Sequence, residues 1–481
     1  MVDYTIIGAG VCGTNIAREL SKYKTSVLIL EKENDVGNHQ TLANSAIIHS
    51  GHDPKVGSLK ATLCVEGNHL YEIMEKELEI PLLYTGAYVL AHNAEEERVL
   101  QELLDRAVLN GVPGGMILPV EIARMSEPNL EDSVTKVLSL PSTKVTFPWE
   151  VAIACLENAI HNGVEYRKNS AVTYIRKVED HYHMVLQNGD IVQTKAIINA
   201  SGVFSDHVAG LLEEHIPYVI TPRRGEYFVL DKRVKGFVEH VLYPVPTPSG
   251  KGVLIVPQTH GNILIGPTSS HQEDKEGVYN TKDGFALIKQ NAKKLAKNIP
   301  FDQIIRTFAG VRATSTYDDF YLNESTEYKN FYQVAGIDSP GLTAAPAIAK
   351  YVVEHLIKPN DPLQMNPTFD PIRKKSIVFY ELDEAAQQEL ISKNPKYGNV
   401  VCKCEKITEA EIVEAIHGPV GSDTVKGIKK RARAGSGFCQ GGYCEPLVLR
   451  IIARETGKPL NTINYDGRNT PILKEETKVI K

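Results

Sequence analysis

The sequence predicts an α/β protein with a mainly parallel sheet, an inserted antiparallel sheet, and a small helical domain with four cysteines at the C-terminal end. β-branched runs alternate with helical patterns from residue 1 to about residue 358, the pattern of a parallel sheet covered by helices. Short apolar runs with Pro- and Gly-containing turns fill residues 217–270, which is typical of antiparallel strands. Helical patterns between cysteine-containing loops follow from about residue 399.

Length and composition predict the domain boundaries. A chain of 481 residues exceeds one ordinary hydrophobic core, so two or three folding units are expected. The stretch that follows the α/β pattern is Pro-rich and polar, the composition of a linker. We expect a core domain at 1–358, a linker at 359–398 and a C-terminal domain at 399–481. Within the core, residues about 80–150 and 217–310 are expected to form a subdomain on the substrate side.

Charge and hydropathy exclude several classes of protein. The formal net charge is -6 without a long Lys/Arg run, so the chain lacks the electrostatic footprint of a nucleic-acid-binding protein. No apolar run is long enough to span a membrane, and the first residues do not form a secretory signal. The odd number of cysteines, seven, indicates a reducing compartment. We expect a cytoplasmic protein, with peripheral association with a membrane as the alternative.

The first thirty residues contain a dinucleotide-binding fingerprint. The first predicted strand, residues 3–7, leads into a turn with glycines at Gly8, Gly10 and Gly13 and then into a helix. These glycines allow a tight turn, close approach to a pyrophosphate and close packing of helix on strand. The next strand ends in Glu31, an acid that can accept hydrogen bonds from an adenosine ribose. The sequence therefore predicts a Rossmann-like domain.

Two later segments favour FAD over NAD. A buried strand pattern ends in small residues that include Ala200 and Gly202, as is needed where the backbone passes close to a nucleotide. Near the end of the core, a helix is predicted to begin at about Gly341, Leu342 and Thr343. A helix N-terminus beside an isoalloxazine ring stabilises the negative charge that develops there on reduction.

Six stretches of the core resemble one family in sequence and in order. They are NSAIIHSG (44–51), GSLKATLCVEG (57–67), RRGEYFVL (223–230), HGNILIGPT (260–268), FAGVR (308–312) and AGIDSPGLTAAPAIA (335–349). They resemble the FAD-dependent glycerol-3-phosphate dehydrogenase and L-2-hydroxyglutarate oxidase group of the D-amino-acid-oxidase-like superfamily. The resemblance covers about residues 1–355.

The resemblance implies further residues at the cofactor. It implies that Asn44 and Ser45 lie near the flavin and that the segment around Val172 approaches the adenine. It also implies that the isoalloxazine is lined by Gly310, Arg312 and residues 341–343. The chain departs from the pattern after residue 51, where it reads His-Asp-Pro and the hydroxyglutarate group is expected to have aromatic residues.

Four of the cysteines are clustered in the C-terminal region. Cys402 and Cys404 form a CxC pair, and Cys439 and Cys444 a CxxxxC pair in a glycine-rich context. Four thiolates are the usual ligands of an iron–sulfur cluster, and the pattern resembles the bacterioferritin-associated-ferredoxin-like (BFD-like) 2Fe-2S domain. Zinc is the main alternative, although zinc sites favour CxxC pairs. A disulfide or a site without metal is the third.

Basic residues accompany these cysteines in the sequence. They are Lys426, Lys429, Lys430, Arg431 and Arg433. Such a run is usually a solvated face, and the functional interpretation is a docking surface for an acidic electron-transfer partner or support for a negatively charged cluster.

Arginine and histidine side chains are the candidates for the chemistry. Arg312 is the candidate anion clamp, because a guanidinium binds a carboxylate or phosphate through two hydrogen bonds; Arg223 and Arg224 are weaker candidates. His49, which follows an apolar stretch, is the first candidate for the general base, and His260 is the second.

Together with these residues, the two resemblances imply an FAD-dependent dehydrogenase of a small anionic secondary alcohol. Glycerol 3-phosphate, oxidised to dihydroxyacetone phosphate, is the leading substrate, with electrons leaving through a 2Fe-2S cluster to a protein subunit or a quinone-linked acceptor. L-2-hydroxyglutarate oxidation and amino-acid oxidation are the alternative reactions. An electron-transfer subunit whose flavin is reduced by a partner is the alternative outside small-molecule catalysis. An oligomer is expected.

Overall fold

The chain folds into two compact units. A computed structural model describes residues 1–246, 252–467 and 469–475. The N-terminal unit comprises Met1–Lys32 and Gly37–Ile372, and the C-terminal unit comprises Glu33–Val36 and Arg373–Lys481. The boundary near residue 372 lies inside the predicted linker, and the predicted subdomain limits stay a prediction. Parts of the predicted regions, at 247–251, 468 and 476–481, lie outside the described residues.

The N-terminal unit contains twenty strands among its described residues, numbered here in chain order. They are β1 (Val2–Ile7), β2 (Val27–Leu30), β3 (Ile47–Ile48), β4 (Leu82–Leu83), β5 (Ala87–Ala91), β6 (Met116–Pro119), β7 (Lys136–Ser139), β8 (Lys144–Thr146), β9 (Glu165–Arg167), β10 (Val172–Val178), β11 (His181–Leu186), β12 (Ile191–Asn199), β13 (Ile220–Leu230), β14 (Val241–Pro244), β15 (Leu254–Pro257), β16 (Ile263–Gly266), β17 (Ser270–His271), β18 (Ile304–Ser315), β19 (Tyr321–Glu324) and β20 (Phe331–Ala335).

Eight α-helices accompany these strands in the described part of the unit. They are α1 (Val11–Leu20), α2 (Leu59–Leu78), α3 (Ala94–Leu109), α4 (Val120–Ser126), α5 (Pro148–His161), α6 (Ser205–Ala209), α7 (Lys282–Ala292) and α8 (Gly341–Tyr351).

The first sheet confirms the predicted parallel α/β core. Strands β9, β2, β1, β12 and β20 are neighbours in this order, and each adjacent pair is parallel. Strands β10 and β11 extend the sheet antiparallel from β12, and β19 pairs antiparallel with β20. Every residue of β2 is buried, as expected of a parallel strand covered on both faces. Helix α1 packs against α5 and α8, and α8 packs against α2.

The second sheet is the predicted antiparallel insertion. Its order is β17-β13-β16-β15-β14-β5-β7-β6, with β18 also paired to β13. All pairs are antiparallel except β5 with β14. The long β13–β18 ladder places Arg312 opposite Arg223. A small third sheet, β3-β8-β4, adjoins the segment that contains His49.

The C-terminal unit is small and helical. Its elements are β21 (Val400–Cys402), β22 (Ile407–Thr408), α9 (Glu384–Lys393), α10 (Glu409–His417), α11 (Val425–Ala432) and α12 (Glu445–Thr456). Its core includes Ile412, Ile428 and Ile452, and the Thr408 and Glu411 side chains form a capping box at the start of α10. Helix α9 lies within the stretch predicted as linker, because Asp383 caps a run of good helix formers.

The basic residues of this unit do not form the predicted solvated face. Lys430 is 5% exposed and pairs with Asp35, whose other oxygen is 2.7 Å from Arg431 Nη2. Lys426 pairs with Asp466, and Arg433 with Glu405. Side chains of the same unit therefore engage these cations. None of the described helices has the length and hydropathy of a membrane span.

Candidate functional site

A large cavity of the N-terminal unit opens at the carboxyl ends of β1, β2 and β12. Its space is about 1800 Å³, open solvent at its mouth included. Twelve of the residues predicted for the site line it: Gly8, Gly10, Glu31, Asn44, Ser45, His49, Val172, Ala200, Gly202, Arg312, Gly341 and Leu342. Ligands of open α/β sheets bind at this edge.

The glycine turn is shaped by close backbone contacts. Gly8 has φ +107°, and a Cβ there would lie 2.6 Å from the carbonyl oxygen of Ala200. A Cβ at Gly13 would lie 1.9 Å from the carbonyl oxygen of Gly8. Gly13 therefore packs α1 on the turn and does not line the cavity itself. Both positions require glycine for steric reasons.

Glu31, the predicted ribose-binding acid, lies beside the glycine turn. It is 8% exposed, and its Oε2 accepts a hydrogen bond of 2.8 Å from the backbone N–H of Ala9. That bond orients the carboxylate beside the glycine turn, and Glu31 also lines the cavity. The position fits an acceptor for the hydroxyls of an adenosine ribose.

Two helix N-termini reach the cavity. Helix α1 begins after Gly10 and α8 begins at Gly341; the N-cap residue of neither helix makes a capping bond with its own side chain, and neither helix has an acidic residue in its first turn. The positive ends of both helix dipoles are therefore available to a ligand with negative charge. One suits a pyrophosphate and the other the reduced isoalloxazine, so the residues present fit FAD.

His49 lines the cavity and its main chain is held on both sides. Its N–H donates to Thr343 Oγ1 at 2.9 Å. Its carbonyl oxygen accepts a bond of 3.0 Å from Asn68 Nδ2. Lys144, which is 2% exposed, donates to Asn68 Oδ1 at 2.7 Å and forms an ion pair with Glu72 at 2.9 Å.

Arg312 lines the same cavity from β18. Its Nη2 donates to the carbonyl oxygen of Thr268 at 2.7 Å. A Cβ at Gly225 would lie 2.4 Å from this Nη2, so the glycine makes room for the guanidinium. The planar group can receive an anion through two parallel hydrogen bonds.

Besides the weaker clamp candidates Arg223 and Arg224, four residues predicted for the flavin site lie outside the lining. Gly13 packs helix α1 closely on the glycine turn, and Thr343 accepts a hydrogen bond from the main-chain N–H of His49. A Cβ at Gly310 would lie 2.1 Å from the carbonyl oxygen of Ala43, so Gly310 permits close approach of two segments. His260 packs against Phe147, with ring centroids 4.7 Å apart and ring planes tilted by 30°. The catalytic roles of His49, His260 and Arg312 stay predictions.

The structure adds lining residues that sequence reasoning missed. Tyr227 on β13 lines the cavity, and its hydroxyl is 3.3 Å from Ser45 Oγ. Thr41 Oγ1 accepts a 3.0 Å bond from the N–H of Val11 at the start of α1. No local motif marks either residue, because each reaches the cavity only through long-range packing; the RRGEYFVL stretch that contains Tyr227 was the available signal.

The four cysteines of the C-terminal unit come together. Cys402 and Cys444 are buried, and Cys404 and Cys439 are exposed. The Sγ atoms of Cys404 and Cys439 are 3.9 Å apart. The Cys444 thiol lowers the pKa of Cys402 to about 6 through a hydrogen bond, against the effect of burial and with help from backbone N–H groups such as that of Gly435.

The four thiols lie in two pairs. The contacts join Cys402 with Cys444 and Cys404 with Cys439, which makes two thiol pairs. A Cβ at Gly437 would lie 2.4 Å from Cys404 Cβ, so this glycine keeps the site open. The thiols thus fit a 2Fe-2S cluster.

Fold and site together define a flavin-dependent oxidoreductase with an iron–sulfur domain, and comparison with known proteins agrees. The family model described as FAD dependent oxidoreductase matches residues 3–355. The model described as BFD-like 2Fe-2S binding domain matches residues 400–454. The chain therefore belongs to the FAD-dependent oxidoreductase family, and its cofactors are FAD and a 2Fe-2S cluster.

Individual proteins extend the comparison. The chain is 42% identical over 478 residues to a glycerol 3-phosphate dehydrogenase of Caloramator mitchellensis, with 99% of each chain covered. It is 27% identical to an L-2-hydroxyglutarate dehydrogenase of Indibacter alkaliphilus, covering 73% of this chain and 98% of that one. The FAD-bound L-α-glycerophosphate oxidase structure from Mycoplasma pneumoniae has a TM-score of 0.75 and 29% identity, covering 78% of this chain and 99% of that one.

Proposed function

We propose that this protein is a glycerol-3-phosphate dehydrogenase. It oxidises the C2 alcohol of glycerol 3-phosphate to the ketone of dihydroxyacetone phosphate. The main observation in support is that His49 and Arg312 line one cavity together with the N-terminus of α8. A base and an anion clamp at the flavin end of a dinucleotide site match a small secondary alcohol that bears an anion.

Arg312 supplies the anion clamp in this proposal. A phosphate monoester offers several oxygens to a guanidinium, and a bidentate pair fixes both distance and orientation. The bond from Arg312 to Thr268 anchors one edge of the guanidinium. The remaining N–H groups then set the position of C2 relative to His49.

His49 supplies the base. Oxidation removes two electrons and two protons from the CH–OH group: the C2 hydrogen leaves as hydride and the hydroxyl hydrogen leaves as a proton. When bound, FAD supplies the hydride acceptor and the cluster a one-electron carrier. His49 takes the hydroxyl proton, and a histidine is suited to this because its pKa lies near neutral pH.

The C-terminal unit favours a dehydrogenase over an oxidase. The Mycoplasma oxidase matches 78% of this chain, close to the share of the N-terminal unit. The dehydrogenase of Caloramator mitchellensis matches 99% of it. A one-electron carrier is useful to an enzyme that delivers electrons to another protein or to a quinone-linked acceptor, which is the partner we propose.

Anaerobic reduction of the bound flavin tests the substrate. The purified protein is mixed with glycerol 3-phosphate, L-2-hydroxyglutarate, L-lactate, glycine or L-proline, and the flavin absorbance is followed. We expect rapid bleaching with glycerol 3-phosphate alone. Bleaching by L-2-hydroxyglutarate or by an amino acid without a response to glycerol 3-phosphate would overturn the proposal. Iron, sulfide and zinc are measured on the same sample.

A further inference from the structure

A buried tyrosine contacts the candidate base from behind. Tyr243, on β14, is 2% exposed, and its hydroxyl oxygen lies 3.0 Å from Nδ1 of His49. His49 lines the cavity, whereas Tyr243 does not. A hydroxyl at this distance from a ring nitrogen forms a hydrogen bond.

We propose that Tyr243 is a positioning residue that fixes the ring orientation and the tautomer of His49. In this arrangement Nδ1–H donates to the Tyr243 oxygen, and Nε2 exchanges the proton with the substrate. The inference rests on the proposed function, in which His49 is the base.

The main chain of His49 is fixed independently of its ring. Thr343 accepts from its N–H, and Asn68 donates to its carbonyl oxygen. These bonds hold the main chain and do not act on the imidazole. The hydrogen bond at Nδ1 acts on the ring itself and restricts its rotation, because a hydrogen bond weakens steeply as its angle departs from linearity. The partner of one ring nitrogen also decides which nitrogen carries the proton.

The environment of Tyr243 suits this role and excludes a role as the base itself. Burial raises the pKa of Tyr243 well above its ordinary value, and the nearby Asp53 and Cys64 act in the same direction. The phenol therefore stays protonated at working pH. It can accept from Nδ1–H both before and after His49 takes up a proton, and the bond strengthens when the imidazole becomes charged.

Several other titratable groups surround this pair. His52 and Asp53 follow His49 in the chain, and the His52 ring lies 5.9 Å from the Tyr243 ring. Cys64 on α2 contacts the His49 carbonyl oxygen at 3.7 Å. Lys144 donates to Asn68, which contacts the same carbonyl oxygen, and Glu72 pairs with Lys144. Arg312 and Cys12 line the cavity that His49 lines. A pH profile must therefore be compared between variants that differ only at Tyr243.

The test is the rate of flavin reduction by glycerol 3-phosphate, measured anaerobically by stopped flow from about pH 5.5 to 9.5, a range that includes the ordinary histidine pKa of about 6.5. Tyr243→Phe removes only the hydroxyl. Tyr88→Phe is the matched control, because Tyr88 lies on the neighbouring strand β5, is buried and bonds Ser126 at 3.1 Å. FAD content is measured for each variant.

We expect Tyr243→Phe to lower the plateau rate by about tenfold to hundredfold, less than the full general-base contribution of about 100- to 10,000-fold. We also expect its kinetic pKa to move to lower pH, because the protonated imidazole loses an acceptor. Tyr88→Phe should match the wild type. If the phenylalanine variant loses FAD, 3-fluorotyrosine at position 243 should shift the profile in the same direction, since its oxygen is a weaker acceptor.

The inference is overturned if Tyr243→Phe has the same kinetic pKa and the same plateau rate of flavin reduction as the wild type. It is also overturned if the plateau rate falls while the kinetic pKa stays unchanged. His49→Asn separates the proposed role of His49 as the base from the proposed role of Tyr243 as its positioning residue. If it reduces flavin as fast as the wild type, His49 is not the base and the proposed function fails at that residue. If it is slow, adding Tyr243→Phe should cause no further loss, because the tyrosine acts through the histidine.

Discussion

Arg312 occupies a position that only a combination of neighbours allows. Gly225 stands where any Cβ would meet its Nη2, and Thr268 anchors the guanidinium through its carbonyl oxygen. Because these neighbours orient the side chain, a change at Arg312 should affect recognition of the anion directly.

Replacing Arg312 with alanine should raise the KM for glycerol 3-phosphate by about 10- to 100-fold, since a hydrogen bond to a charged group is worth about 1.5–3 kcal/mol. Arg312→Lys should recover part of this loss, because a lysine keeps the charge without the planar fork. Steady-state kinetics with a dye acceptor measure both variants. Arg306→Ala, on the same strand but outside the cavity lining, is the control. Equal KM values in all three would contradict the assignment.

Helix α2 and strand β8 support the candidate base as elements. Asn68 from α2 donates to His49, and Lys144 from β8 donates to Asn68. Glu72, one turn further along α2, pairs with Lys144, and the hydrogen bond from this lysine lowers the pKa of Glu72 below its ordinary value. Two elements distant in sequence are thus tied together beneath one residue of the cavity.

Lys144→Met should destabilise the N-terminal unit, because it keeps the volume but leaves the buried Asn68 oxygen without this donor. The expected cost is about 1–3 kcal/mol. Release of FAD fluorescence during urea unfolding measures it. Lys136→Met is the control: its ion pair with Glu97 is on the surface, with the Lys136 side chain 48% exposed, and should contribute little to stability. Equal midpoints for the two variants would show that the network adds no stability.

At the scale of the whole molecule, the C-terminal unit includes four residues from the N-terminal part of the chain. Glu33–Val36 belong to it, while the flanking residues Lys32 and Gly37 belong to the other unit. Asp35 is the charged anchor of this segment, and it pairs with Lys430 and Arg431.

Asp35→Asn should destabilise the C-terminal unit by about 3–5 kcal/mol, because it leaves buried cations without their counter-charge. Thermal unfolding followed by the visible absorbance of the cluster measures the change. Asp423→Asn is the control, because Asp423 forms an ion pair on the surface with Lys458, whose side chain is 47% exposed. A midpoint for Asp35→Asn no lower than that of the control would refute the prediction.

The same ion pairs predict a dependence on pH. Burial alone would raise the pKa of Asp35, but the charges of Arg431 and Lys430 outweigh it and lower the pKa. The Asp35 ion pairs therefore stabilise the C-terminal unit at pH values above about 4, the pKa of an aspartate in the unfolded chain. This stabilisation is lost as the pH falls through the lower pKa that Asp35 has in the folded unit. Burial lowers the pKa of Lys430 to about 8 despite Asp35. The unfolded chain therefore binds more protons between that pH and about 10.4, and stability rises with pH there. In Asp35→Asn, the stability of the C-terminal unit should no longer show the loss at acidic pH that protonation of Asp35 causes.

Much of this protein was predictable from local sequence. The glycines after β1, the acid at the end of β2 and the CxC and CxxxxC pairs are close neighbours in the chain, so their spacing alone predicts a nucleotide turn and a cluster site. Strand and helix periodicity predicted the parallel core and the antiparallel insertion. Two of these glycines are required locally: Gly8 has φ +107°, and a Cβ at Gly13 would meet the carbonyl oxygen of Gly8 in the same turn.

The tertiary structure decided which side chains meet. Tyr243 reaches His49 across almost two hundred residues, with |i−j| of 194, and Tyr227 reaches Ser45 from the inserted sheet. The basic run of the C-terminal unit was predicted to be a solvated face, but in the structure its side chains form ion pairs within the unit. Local sequence could not show this, because Asp35 is far from Lys430 in sequence and adjacent to it in space. Local sequence therefore determined the fold class and the two cofactor motifs. The partners of the histidine, the arginine and the buried cations depended on long-range packing, which no local pattern encodes.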